Sequence, residues 1–244
     1  MNGVIAGITL RQLLSRRRTV LLLLLGGVLV LAALLFRLAG EEARALRFTS
    51  NLLSNLGVGT LMPLVALLFG TGALGAEIED GTAIFLLAKP ISRQTIVLTK
   101  LAVAAACSAA VTCVPMLLAG AVGAGGLGDG LVVGLVAAAA IGSVLYCAVF
   151  VALSLVTRRA LVFGLAYMII WEGLLAGFFA GTRTLSIRQQ TLSFAHAIGG
   201  IPRALLDAQL DLTTAVVVAA LVLIGATLLA IRRLGSYEIS GEIA

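Results

Sequence analysis

Residues 19–38 read TVLLLLLGGVLVLAALLFRL, and this run decides the fold class of the chain. Arg37 is its only charged residue, and every other position except Thr19 is apolar or glycine. An α-helix rises about 1.5 Å per residue, so about twenty residues extend about 30 Å, the thickness of the hydrocarbon core of a bilayer. The run therefore predicts a transmembrane helix.

The composition of the whole chain extends this prediction beyond one helix. Hydrophobic residues make up 61% of the 244 residues and charged residues 11%, with a mean hydropathy of +1.15. A soluble globular domain is about half apolar and about a quarter charged. A soluble fold of this size could not bury so much apolar surface, so lipid must be the main solvent of the chain.

Five further apolar runs have about the length that a bilayer requires. They cover residues 52–75, 95–123, 131–156, 161–180 and 213–231. Pro63 is a possible kink in the second span, and Pro115 is expected to bend or break the third because proline removes a backbone donor. Spanning strands would need short alternating segments, which this pattern does not have. The sequence therefore predicts an all-α fold, a polytopic membrane bundle of six transmembrane helices.

The basic residues predict the orientation of the spans. An even number of spans puts both termini on one side, and eleven of the 17 Lys and Arg residues fall on that side. They are Arg11, Arg16, Arg17, Arg18, Lys89, Arg93, Lys100, Arg158, Arg159, Arg232 and Arg233. Basic residues mark the cytoplasmic side, so both termini are expected in the cytoplasm and the protein in the inner (plasma) membrane. The same flanking positions account for the net charge of +6, and no nucleic-acid partner is expected.

The chain is expected to form a single transmembrane domain over residues 1–244, with three distinctive segments outside the spans. Residues 1–18 fit either an interfacial helix in contact with membrane lipid or a plain basic flank, and the sequence leaves both open. Residues 76–94 form a cytoplasmic segment, and residues 181–212 form an outer connection before the last span. Short amphipathic pieces, broken at residues 199–202, are predicted within the outer connection.

The cytoplasmic segment differs in kind from the other connections. An acidic cluster at residues 77–80 precedes a short apolar block at residues 83–88, which is far too short to span a bilayer. Gly81 allows a sharp turn before the block, Pro90 ends it, and Ser92 is well placed to cap the N-terminus of the third span. The pattern predicts a short helix that lies in the membrane interface or against a protein partner.

Residues 79–100 read EDGTAIFLLAKPISRQTIVLTK and carry a family resemblance. The order of an acidic pair, Gly-Thr, Leu-Leu, Pro-x-Ser-Arg and a later Lys resembles that in permease subunits of type 2 ABC exporters. It is most similar to the short six-span class that includes the nitrous-oxide-reductase maturation permease, and the resemblance extends over the whole chain. The resemblance implies an ABC type 2 exporter-like fold and a dimer of two permease chains, identical or similar. It also implies two copies of a separate ABC ATPase subunit as partners.

The resemblance further implies that the segment between the second and third spans is the coupling helix, which sits in a cleft of the ATPase. The residues assigned to this contact are Glu77, Glu79, Asp80, Gly81, Thr82, Phe85 and Leu86. An acidic patch beside a small apolar block suits a docking surface, which combines an apolar core with a polar rim. Phe85 and Leu86 are the candidates to enter a pocket on the ATPase.

The sequence contains no motif for chemistry within this chain. It lacks the GxxxxGK[ST] phosphate loop, so ATP is expected on the partner subunit, and no catalytic residue or cofactor is assigned. His196 is the only histidine and the three cysteines form no CxxC pair, so no metal site is predicted. A rhomboid-type protease would need a GxSG motif, which does not occur, and an alcohol phosphatidyltransferase would need further aspartates after Asp80.

The predicted function is therefore that of a transmembrane permease subunit of an ATP-driven ABC exporter, not an enzyme in itself. The alternative is a non-transporting assembly or scaffold subunit in the membrane, which would bind no ATPase. Glu172, inside the fifth apolar run, is the candidate for the substrate pathway because a carboxylate at that depth is expensive and often functional. A position near the membrane interface or pairing with a neighbour is the other explanation of Glu172.

Overall fold

Helices form every regular element in the part of the chain that the structure describes. The computed structural model describes residues 3–14, 17–40, 44–79, 92–126, 130–157, 159–176 and 180–235. Two of its segments, π1 and π2, are π-helical, and the others are α-helices. In chain order the elements are α1 (Gly3–Leu14), α2 (Arg17–Leu38), α3 (Ala45–Asn51), π1 (Leu52–Leu61), α4 (Met62–Glu79), α5 (Arg93–Ala124), α6 (Leu131–Val156), α7 (Ala160–Ala166), π2 (Tyr167–Leu175), α8 (Ala180–Arg183), α9 (Ile187–Gly199), α10 (Arg203–Leu206) and α11 (Leu212–Gly235).

The predicted all-α membrane bundle is confirmed, with a fifth span that is shorter than expected. Five helical stretches in the described ranges are long and apolar enough to cross a membrane: Val20–Leu38, Ala45–Gly75, Arg93–Ala124, Leu131–Val156 and Leu212–Gly235. The predicted span at residues 161–180 corresponds to the shorter apolar stretch Ala160–Leu175. The chain is accordingly a multi-pass membrane protein.

Helix α6 lies at the centre of the bundle. It packs against α4, α5, α9 and α11, and most of its side chains are buried. Glycine makes close crossings possible: a Cβ on Gly70 of α4 would lie 2.9 Å from Phe150 Cβ on α6, and one on Gly164 of α7 would collide with Leu67. Small residues at such crossings let membrane helices approach, and this explains much of the high glycine content of the chain.

Pro115 was expected to bend or break the third span, and the structure shows that it does not break it. Helix α5 continues through it from Arg93 to Ala124. The ring packs against α2, where a Cβ on Gly26 would lie only 2.6 Å from Pro115 Cγ. Neighbouring helices support proline within a membrane helix, and this close contact accounts for the uninterrupted course of α5.

The irregularity of the second span lies just before Pro63. The π1 segment ends at Leu61, and the backbone N–H of Met62 bonds to the carbonyl of Gly57, five residues earlier. Pro63 is the second residue of α4, which continues directly from π1 within one helix, Ala45–Gly75. The second span therefore changes its hydrogen-bond pattern from π-helical to α-helical next to Pro63.

The start of α5 is fixed by polar contacts. Ser92 is its N-cap, as predicted, and its Oγ accepts a hydrogen bond from the backbone N–H of Thr95 at 3.4 Å. Two turns later Lys100 is 1% exposed, and its Nζ donates to the carbonyl of Ala73 on α4 at 2.7 Å. A charged side chain inside a membrane bundle requires polar partners, so Lys100 helps to fix the ends of α4 and α5 against each other.

Helix α1 packs against α4 and α5. Thr9 and Leu13 are buried, and Leu13 lies close to Gly72 of α4, whereas Ile8 and Leu10 are exposed. Residues 1–18 therefore contain a helix with one side against the bundle and apolar residues on an exposed side. Its contact with the membrane surface stays a prediction.

Reporter fusions are expected to place Ala244 in the cytoplasm and Gly200 outside. Gly200 is exposed at the end of α9, whereas Gln190 is fully buried, so an insertion at Gln190 would disrupt packing before it could report a side. The measurement is the activity of a side-specific reporter at each position. Equal signals at both positions would contradict the one span, α11, that lies between them, and reversed signals would contradict the orientation.

Candidate functional site

Glu172 lies in π2 and binds the start of a neighbouring helix. Its carboxylate accepts a hydrogen bond from the backbone N–H of Ile187 at 2.9 Å and another from Ser186 Oγ. Ser186 and Ile187 are each 1% exposed, so both donors are shielded from solvent. The first N–H groups of a helix have no partner within it, and a helix N-terminus favours negative charge. Glu172 therefore satisfies and stabilises the N-terminus of α9.

The first turn of α9 also bonds to the other π-helical segment. Ser186 is the N-cap, and its Oγ accepts from the backbone N–H of Gln189 at 3.2 Å. Arg188 Nη2 donates to Asn55 Oδ1 of π1 at 2.7 Å. The turn is thus joined to π2 through Glu172 and to π1 through Arg188. Long π-helical segments are rare and often occur at functional sites, so their meeting at this turn singles it out.

Aromatic side chains position π2 against the core. Phe150 of α6 stacks with Tyr146 at a centroid distance of 5.8 Å and meets Tyr167 edge to face at 6.3 Å. Tyr167 in turn stacks with Trp171 at 6.5 Å, one residue before Glu172. Aromatic pairs at these distances and angles are favourable beyond their burial. The series connects the centre of the bundle to the turn that carries Glu172.

Helix α9 runs along the N-terminal half of α6 in the opposite direction. At one end Gly199 lies against Gly130, and farther along a Cβ on Gly134 would be 2.9 Å from the carbonyl of Ala195. A Cβ on Gly142 would collide with Thr191 Oγ1. Because Gly142 lies near the middle of α6, the N-terminus of α9 lies at the level of the middle of that span. The predicted interruption at residues 199–202 is confirmed, since α9 ends at Gly199.

A small polar cavity of about 120 Å³ opens beside this junction. Arg183 Nε donates to the carbonyl of Ala176 at 3.1 Å, and its Nη1 also bonds Gln209 Oε1. Gln209 Nε2 donates to Asp207 Oδ1 at 3.0 Å. The cavity wall therefore carries two guanidinium groups, two carboxylates and two amides. Its lining residues are Glu172, Gly173, Ala176, Arg183, Ser186, Arg188, Gln189, Asp207 and Gln209.

Asp211 lies immediately before α11. Its Oδ1 accepts from Arg203 Nη2 at 3.3 Å, and its Oδ2 accepts from the backbone N–H of Thr213 at 3.3 Å. The hydrogen bond from the Arg203 guanidinium, together with that from Thr213, holds the pKa of Asp211 below its usual value. Both charged side chains are largely exposed, so the pair stabilises the fold little. Asp211 belongs to the helix end, not to the cavity.

The residues assigned to ATPase coupling fall almost wholly outside the described ranges. Asp80, Gly81, Thr82, Phe85 and Leu86 lie outside them. Glu77 and Glu79 belong to the last turn of α4, and their side chains are not among those described. The described helices on either side end at Glu79 and begin at Arg93, and Ala73 and Lys100, which bond to each other, lie six and seven residues from these ends.

Sequence reasoning singled out Glu172 and missed its partners. One signal was available: Ser186 and Gln189 form the Ser-x-x-Gln pattern typical of a helix N-terminus. Asn55 and Arg188 lie 133 residues apart, and nothing in either local pattern indicates that they meet. Among the described residues, no group of three His, Cys, Asp or Glu side chains could hold a metal ion.

Comparison with known sequences identifies the family of this membrane bundle. Residues 12–186 match the sequence model of the ABC-2 family transporter proteins, which is well over half of the chain. The chain therefore belongs to the ABC-2 family of transporter membrane proteins, as the resemblance at residues 79–100 indicated. Members of this family are transport components and generally work with an ABC ATPase. A comparison with curated proteins finds no match.

Proposed function

We propose that the chain is the transmembrane permease subunit of an ATP-driven ABC exporter. Its family supplies the membrane component of ABC transporters, and this match over residues 12–186 is the observation that carries the proposal. The sequence has no phosphate loop, so hydrolysis would take place on a separate ATPase subunit. The Pro-x-Ser-Arg block and the six apolar stretches support membership of the short six-span class similar to the nitrous-oxide-reductase maturation permease.

We propose residues 76–94 as the coupling segment, with Glu77, Glu79, Asp80, Gly81, Thr82, Phe85 and Leu86 in contact with the ATPase. The basic residues around this segment support its position in the cytoplasm, where ATP is found. The same bias supports cytoplasmic termini, a plasma-membrane location, and residues 181–212 as the outer connection. The apolar block is short enough to enter a pocket and too apolar for a solvated loop.

The polar junction around Glu172 is proposed as part of the substrate pathway. It combines a carboxylate, two guanidinium groups and a cavity at the level of the middle of α6, where lipid would offer polar groups no hydrogen bonds. Glu172 binds the first turn of α9, so a change at Glu172 would shift a helix that lines the cavity. Because α9 is hydrogen-bonded to π1 and to π2, the two spans that contain these segments could move with it.

A second permease chain is proposed to cover the face formed by π2. No residue of π2 is buried within one chain, and Ile169, Ile170 and Leu174 are exposed. The polar cavity opens beside these residues, and lipid cannot cover such groups without a large cost. A second copy could shield the cavity with protein, and a contact between like faces is the usual arrangement in a twofold dimer.

Co-purification with an ABC ATPase is expected to give two permease chains per two ATPase chains. The reason is that one chain contributes one coupling segment, and two ATPases would need two. The measurement is the subunit ratio and mass of the purified complex, together with ATP hydrolysis with and without the permease. A chain that binds no ATPase would support the scaffold alternative, and a stable one-to-one complex that still transports would contradict the dimer.

A further inference from the structure

Arg93 makes a contact that the predicted function does not use. It is the last residue of the Pro-x-Ser-Arg block and the first residue of α5. Its Nη1 donates to the carbonyl of Leu234 at 3.1 Å and also bonds the carbonyl of Gly235. These are the last two residues of α11, 141 and 142 positions farther along the chain. One side chain therefore joins the start of the third span to the end of the last.

The chemistry of a helix end makes this contact favourable. Leu234 and Gly235 are the last described residues of α11, and Arg93 donates to the carbonyl groups of both. The C-terminus of a helix also carries partial negative charge, which attracts a guanidinium. Arginine suits the position because its planar group presents several donors in a fixed geometry. The contact formed by Arg93, Leu234 and Gly235 is called the helix-end clamp below.

Few residues of α11 are buried in the part of the chain that the structure describes. The buried residues of α11 are Ala215 and Ala219 near one end and Ala230 and Leu234 near the other. None of residues 220–229 is buried, and Leu221, Ile224, Leu228 and Leu229 are exposed. Ala230 and Leu234 are buried at the end of α11 near Arg93, Ile231 packs against the core, and the helix-end clamp adds hydrogen bonds to these contacts.

We infer that Arg93 is a positioning residue that makes α11 follow the start of α5 when the preceding segment is displaced. Arg93 directly follows residues 76–92. Ser92 caps the start of α5, and Lys100 bonds α5 to Ala73 of α4. A force applied to that segment would reach α5 first and then, through the helix-end clamp, α11. The inference rests on the proposed function, since it identifies a route by which an ATPase could move the last span.

The test compares Arg93→Gln with Arg233→Gln, which removes the same charge from the last turn of α11. Hydrogen exchange of residues 226–235 is measured for the whole chain in lipid nanodiscs. Loss of bonds to a charged donor is expected to raise exchange in Arg93→Gln about tenfold, with less than about a twofold change in Arg233→Gln. Arg93→Lys keeps the charge and is expected to recover at least part of the protection.

The second readout is the complex with the ATPase. Arg93→Gln is expected to retain the ATPase while permease-stimulated ATP hydrolysis falls about fivefold, and Arg93→Lys is expected to restore part of it. Unchanged exchange in Arg93→Gln, or raised exchange with wild-type stimulation, would overturn the inference. A wild-type chain that retains no ATPase would overturn the proposed function and the coupling role together, and the exchange data would still decide whether Arg93 holds the end of α11.

Discussion

Phe85→Ala combined with Leu86→Ala is expected to release the ATPase from the permease. If residues 76–94 are the coupling segment, Phe85 is its largest apolar side chain, and Leu86 lies next to it in the apolar block. Truncation of one buried apolar residue at such an interface typically costs about 2 kcal/mol or more, which corresponds to about thirtyfold weaker binding. The double variant should therefore lose at least this factor. The measurements are co-purification with the ATPase and permease-stimulated ATP hydrolysis.

Glu77→Gln is the matched control because it changes a charge at the edge of the same segment. Exposed ion pairs contribute little, typically less than about 1 kcal/mol, so binding and stimulation should remain near wild type. The amount of inserted protein in the membrane must be equal for all variants. If the double variant inserts normally and keeps wild-type binding and stimulation, the segment is not the coupling element. If Glu77→Gln instead weakens binding as much as the double variant does, the contact with the ATPase is electrostatic.

The bundle was predictable because its dominant signal is local. A run of about twenty apolar residues needs no knowledge of its neighbours to be identified as a span, and five of the six runs correspond to long helices. Ser92 was predictable for the same reason, since a cap is read from adjacent residues. Pro115 was not, because its effect depends on a neighbour: the ring packs on Gly26 of another helix, and the span continues through it.

The junction around Glu172 shows the limit of local reasoning. A charge inside an apolar run identified the residue, but its role depends on Ser186 and Ile187, which reach it only after the chain turns back. The depth of α9 in the bundle depends on Gly134 and Gly142, whose missing side chains leave room for it. The residues around a glycine in an apolar run do not indicate which helix will pack against it. These contacts could therefore not be predicted from one sequence.

Glu172→Leu is expected to destabilise the junction, whereas Glu172→Gln should leave the chain assembled but alter transport or ATPase stimulation. Leucine leaves the buried N–H of Ile187 and hydroxyl of Ser186 without their acceptor, at a cost of about 1–3 kcal/mol for each unsatisfied group. Glutamine has nearly the same shape and keeps one acceptor oxygen, but it removes the negative charge at the start of α9. The measurements are thermal unfolding of the purified chain and permease-stimulated ATP hydrolysis.

Asp211→Asn is the control, since it removes a carboxylate at the start of α11, outside the cavity and exposed to solvent. It should change neither measurement appreciably. If Glu172 belongs to the pathway, Glu172→Gln should lower permease-stimulated ATP hydrolysis, while the unfolding temperature of this variant stays near that of the wild type. In that case the start of α9 is still held, but the cavity has lost a charge. Wild-type stimulation in Glu172→Gln, with unfolding of Glu172→Leu at clearly lower temperature, would mean that Glu172 serves only to hold α9 in place.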